Sequence, residues 1–102
     1  MIPETLDLIH EVFGVEKKQL LAQFDISSNG LKYIKEHPDS DMKTPRQVGF
    51  YKLVRDYLDN AKLNNLGPVV RKHFLTTLRS YVVGMPDNIH KKDVLILIDK
   101  LL

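Results

Sequence analysis

Gly14-Val15-Glu16-Lys17-Lys18-Gln19-Leu20-Leu21-Ala22-Gln23-Phe24-Asp25-Ile26-Ser27-Ser28-Asn29-Gly30-Leu31-Lys32-Tyr33-Ile34 is the stretch that decides the fold. Two short amphipathic segments meet where Phe24 is followed by Asp25-Ile26-Ser27. Leu20, Leu21 and Phe24 line one side of the first, while Lys17, Lys18 and Gln23 lie elsewhere,. Ser27 or Ser28 supplies a natural N-cap for the second, whose apolar positions Leu31 and Ile34 are three apart,. The spacing predicts a helix-turn-helix in which the segment Ser27 to His37 is an exposed helix set at a steep angle to the one before it,.

Outward from this stretch the chain reads as helical almost throughout. Pro3 suits a first helical turn, and Leu6, Ile9, Val12 and Phe13 recur at the spacing of one helical face before a break at Gly14,. His37-Pro38-Asp39-Ser40-Asp41 predicts a loop, because the residue before proline avoids helical geometry and Asp and Ser favour turns,. Thr44-Pro45 then opens a long fourth helix carrying Val48, Tyr51, Leu53, Val54, Tyr57 and Leu58 towards Asn60,. A second break at Asn64-Asn65-Leu66-Gly67-Pro68 precedes a fifth helix with Val70, Phe74, Leu78 and Val82 every four residues, ending at Gly84-Met85-Pro86,. Val94 to Ile98 fits a strand by composition, but Lys91-Lys92-Asp93 and Asp99-Lys100 around it fit a terminal helix, which is the reading adopted,. The expected fold class is all-α: a compact bundle of five or six helices holding the helix-turn-helix, with an extra C-terminal helical extension. At 102 residues the chain is expected to be a single domain, 1–102, with the motif core in 4–60 and the C-terminal helices in 67–102,.

Composition excludes several classes. No segment approaches the roughly 18 uninterrupted apolar residues of a membrane span, so no membrane partner is expected,. No basic segment followed by an apolar run opens the chain and cysteine is absent, so a cytoplasmic setting is expected, without disulfides or thiolate metal sites,. His10, His37, His73 and His90 are scattered singly, without metal-ligand spacing, and no metal is proposed,. Gly30 stands alone rather than in a phosphate-cradling loop, and Asp39 and Asp41 fall in a turn-forming run,. No enzyme activity and no cofactor are expected.

The pattern Gly14-Val15, Leu20, Phe24-Asp25-Ile26-Ser27, Leu31, Ile34 is similar to the phage-repressor helix-turn-helix of the Cro/cI-like, or XRE-type, family. The resemblance spans roughly residues 4–58: Leu6, Ile9 and Gly14 fall where that family has its first helix and the break after it. Pro45, Phe50, Tyr51, Leu53, Val54 and Tyr57 fall where its fourth helix packs back. Three positions depart from the family. Leu21 stands where a small residue is usual, Asp25 where glycine is common in the turn, and Lys17 where the second helix often starts with Gln. Asp accepts left-handed backbone at a cost of about 1 kcal/mol.

The resemblance implies a small sequence-specific DNA-binding regulator of transcription. Carried over residue by residue, it points Ser28, Asn29, Lys32 and Tyr33 at base edges in the major groove of double-stranded DNA,. Asn pairs bidentately with adenine, Lys donates to guanine, and Ser and Tyr bond to bases or phosphates. Lys17 and Lys18, with Lys43, Thr44 and Arg46 at the start of the fourth helix, would grip phosphates, aided by the positive helix ends,. Apart from the resemblance, Arg71, Lys72 and Arg79 on the fifth helix read either as an extension of a phosphate-binding surface or, the favoured account for three scattered charges, as a solvated basic face,. A homodimer is expected, since one copy covers half a site, and Ile96, Leu97, Ile98, Leu101 and Leu102 leave little polar face on the last element; sealing of the monomer core is the other account of that tail,.

Charge opposes part of this picture. Residues 1–42 hold four lysines against eight acids, a net of −4, whereas residues 43–102 hold eleven basic against five acidic residues, a net of +6. An acidic motif half also suits a helical protein–protein interaction module, antirepressor-like or inhibitor-like, that binds a protein partner and not DNA.

Overall fold

A computed structural model describes residues 1–24, 27–37 and 44–102, without the side chains of Ser28, Thr44, Pro45 and Arg46. Among these residues the secondary structure is entirely helical. The elements are α1 (Ile2–Phe13), α2 (Lys17–Phe24), α3 (Ser28–Glu36), α4 (Thr44–Tyr57), α5 (Asn60–Leu63), α6 (Pro68–Val83) and α7 (Ile89–Leu101). The chain is thus an all-α bundle, and its Cα radius of gyration of 13.0 Å is that of a compact chain of this length,.

Each boundary has a local cause. Pro3 lies in the first turn of α1, where its missing N–H costs nothing, and the Thr5 hydroxyl, fully buried, donates to the Met1 carbonyl at 2.8 Å,. α1 stops at Gly14, whose φ of 69° is left-handed and whose N–H reaches the His10 carbonyl,. Asn88 caps α7 by accepting from the Lys91 N–H at 2.9 Å, while its amide donates to the side chain of buried Gln47 on α4,. That cap, together with Val94 and Ile98 one helical turn apart and fully buried, explains why the apolar run 94–98 is helix and not strand.

The fourth helix differs from its expected course. It ends at Tyr57, Asp59 is extended at ψ 134°, and a separate single turn, α5, inserts the fully buried Leu63 into the core. This brings the helix total to seven among the described residues, one above the upper expectation. Val48 and Val70, expected on apolar faces, are exposed. The predicted loop at 38–41 lies outside the described residues.

One apolar cluster joins α1, α2, α4, α5, α6 and α7. Against it packs the half-buried Phe13, which meets Phe74 edge-on, with centroids 5.0 Å apart, and tilts against Tyr57 at 5.1 Å,. α2 packs on α1 and α4, α6 on α1 and α7, and α7 also on α4. α3 stands apart: it rests on α1 at the edge, touching the common cluster through Leu31. The departure at Leu21 is absorbed, since this side chain is half-buried and packed on the same cluster.

Candidate nucleic-acid interface

α3 forms because its ends are satisfied locally. The Ser27 hydroxyl accepts from the Gly30 N–H at 3.0 Å, and at the other end the His37 N–H reaches the Tyr33 carbonyl at 2.8 Å,. Ile34 is buried and Leu31 half-buried, so the opposite face is turned to solvent. Asn29, Lys32, Tyr33 and Glu36, spaced at i, i+3, i+4 and i+7, form one exposed stripe along that face,. Ser28 lies in the first turn of α3, its side chain outside the description.

The stripe is partly rigid. The Tyr33 and His37 rings stack at 4.2 Å with an interplanar angle of 20°, and His37 Nδ1 lies 3.1 Å from the Tyr33 carbonyl. The stacking was readable in the i, i+4 spacing of the two aromatic rings, although sequence reasoning assigned His37 no role. It restricts the tyrosine before any partner arrives.

The first turn of α2 holds Lys17 and Lys18 and no acid, so two cations sit at the positive end of the helix dipole,. Both are exposed. Lys17 is neutralised in part by Asp7 of α1, 2.6 Å away, a pairing across the α1–α2 turn that sequence reasoning missed. No regular spacing links residues 7 and 17. α2 itself is tied to α4 by Tyr57, whose hydroxyl donates to Gln23 Oε1 at 3.3 Å.

Of the other residues expected to touch phosphate, Thr44 and Arg46 lie in the first turn of α4, their side chains outside the description, and Lys43 lies outside the described residues. Arg79 of the extended basic set is committed to Asp99 at 2.8 Å, where it ties α6 to α7. No cluster of three or more metal-ligating side chains occurs among the described residues, and no helix among them is long and apolar enough to cross a membrane.

No protein-family model, curated protein or solved structure matches the chain. The functional reading therefore rests on the geometry of α2 and α3.

Proposed function

We propose that the protein is a small DNA-binding regulator of transcription that lays α3 in the major groove and works as a homodimer. One observation carries this reading. α3 is a short, capped helix at the edge of the bundle, anchored by Leu31 and Ile34, with Asn29, Lys32 and Tyr33 exposed together on its outer face,. Asn and Lys on one exposed stripe match the donor and acceptor pattern of base edges. The lysines at the start of α2 add the sequence-independent attraction to phosphate, Lys17 through the charge that Asp7 leaves unscreened and Lys18 beside it,. A second copy is supported by Ile89 and Ile96 of α7, two turns apart on one face and 69% and 55% exposed,.

Selection from a random-sequence duplex pool at two salt concentrations, followed by sequencing, tests this reading. Enrichment of a two-fold-symmetric site is expected, with binding abolished by Lys32→Glu and weakened on every sequence by Lys17→Ala. No retention by the wild-type protein even at about 50 mM salt overturns it.

A second reading has its own support. Glu36 shares the α3 stripe with Lys32, and Asp7 holds Lys17, so part of the surface repels phosphate,. An interaction module that binds a protein partner through α3 accounts for both acids. It predicts a stable protein complex whose affinity is lost in Tyr33→Ala.

A further inference from the structure

We propose that two copies of the chain pair through the outer face of α7, side by side and running in the same direction, a pairing that rests on the homodimer of the preceding reading and not on its contact with DNA. Ile89 and Ile96, 69% and 55% exposed, stand two turns apart on that face and define one line along the helix,. Charges flank this line on both sides. Lys92 and Asp99 run along the side nearer α6, where Asp99 pairs with Arg79, and Asp93 and Lys100 along the side nearer α4, where Asp93 pairs with Arg55. Lys92 and Lys100 are exposed and join no acid among the described residues. Asp93 and Asp99 are 57% and 55% exposed, so each carboxylate can accept from a second cation beside its own arginine,.

The order of these charges selects the direction. In a parallel pair related by a two-fold axis along the helices, a residue on the central line meets its own copy, and one flank of each helix meets the opposite flank of the other at the same height. Ile89 then packs on Ile89 and Ile96 on Ile96. Lys92 faces Asp93 of the second copy and Asp99 faces its Lys100, each pair offset along the axis by one helical rise of about 1.5 Å,. Opposite signs meet at every flanking position. An antiparallel pair joins like flanks instead: setting Ile89 against Ile96 of the second copy brings Lys92 to Lys92 and Asp93 to Asp93. Sliding the helices until Lys92 meets Asp99 cures the repulsion but leaves Ile89 without an apolar counterpart. The parallel pair covers both isoleucines and matches the charges beside them, so a second copy of α7 is the complement of this face.

The chain has no cysteine, so single cysteine substitutions report the pairing without background. Helices packed about 10 Å apart bring facing Cα atoms to roughly 5 Å, inside the disulfide range. Ile89→Cys and Ile96→Cys, each oxidised in dilute solution, are both expected to form covalent dimers, whereas Val69→Cys, on the exposed start of α6, is not. Analytical ultracentrifugation of the full chain without DNA gives a second readout. Lys92→Glu and Lys100→Glu, at exposed positions that leave the fold intact, should each weaken the dimer about fivefold or more,. A dimer that neither α7 cysteine links, that Ile96→Cys alone links, or that Val69→Cys links as fast overturns the parallel α7 pairing while the homodimer stands. So does unchanged dimer affinity in both lysine variants. A wild-type chain still monomeric at about 1 mM overturns the pairing and the homodimer together, and contact of α3 with DNA is then decided by the duplex selection alone.

Discussion

Replacing Asp7 by Asn is expected to raise affinity for DNA while barely altering the fold. Asp7 lies 2.6 Å from Lys17, and both side chains are about half exposed, at 48% each. An exposed pair of this kind contributes about 0.2–1 kcal/mol. A phosphate that recruits Lys17 must displace or share it with Asp7, so the same energy is subtracted from binding. Removing the acid restores it, and 0.2–1 kcal/mol corresponds to roughly a 1.4- to 5-fold gain in affinity per copy. Loss of a negative charge beside the DNA backbone acts in the same direction. Because a freed lysine displaces one more counterion, the slope of log K against log salt should steepen by up to about 0.9 per copy. The assay is fluorescence anisotropy with a labelled duplex from the selected pool, between about 50 and 200 mM salt, alongside thermal melting of the free protein. Lys17→Ala in the Asp7→Asn background should cancel the gain. Unchanged or weaker binding by a folded Asp7→Asn variant would refute the reasoning that Lys17 meets phosphate.

Other expectations concern stability. Gly14→Ala should destabilise by about 1–2 kcal/mol, because φ is 69° at the end of α1,. Gly49→Ala should stabilise by up to about 1 kcal/mol, since it lies within α4 and the nearest atom to an added Cβ, the Phe24 carbonyl oxygen, is at an ordinary 3.5 Å,; chemical denaturation of the pair checks both signs. Lys91→Met should cost about 2–3 kcal/mol in the same assay, because its side chain is only 12% exposed and its ammonium donates to the carbonyls of Val83 and Met85 and to Asp87,. Tyr51→Phe should stabilise by about 1 kcal/mol at neutral pH, as the Tyr51 hydroxyl is buried without a hydrogen-bond partner,. Burial, with Asp87 nearby, pushes the Tyr51 phenol up to about 12. The unfolded phenol, by contrast, ionises near about 10. Above that pH the unfolded state holds fewer protons than the folded one. The wild type should therefore lose stability relative to Tyr51→Phe by up to about 1.4 kcal/mol per pH unit between about 10 and 12.

Helix periodicity, caps and breaks are local properties, and they were legible in the residues. Ser27 before Leu31 and Ile34, Gly14 after Phe13, and the four-residue recurrence of Phe74, Leu78 and Val82 each declare an element through neighbours within one or two turns,. The outer stripe of α3 follows from the same arithmetic, since Leu31 and Ile34 must face inward and Asn29, Lys32 and Tyr33 then face out. Where two helices meet was not legible, because it depends on contacts between residues far apart in the chain. Val48 and Val70 match their apolar stripes in sequence, yet both remain exposed. The same holds for charge. Asp7 reached Lys17 and Asp99 reached Arg79, outcomes set by how α1, α2, α6 and α7 pack and invisible in a count of acids and bases. The sequence by itself determined the helices and the outward face of α3. Only the tertiary structure decided which cations remain unneutralised, because ion pairing depends on distances of a few ångströms between side chains that helix packing alone brings together.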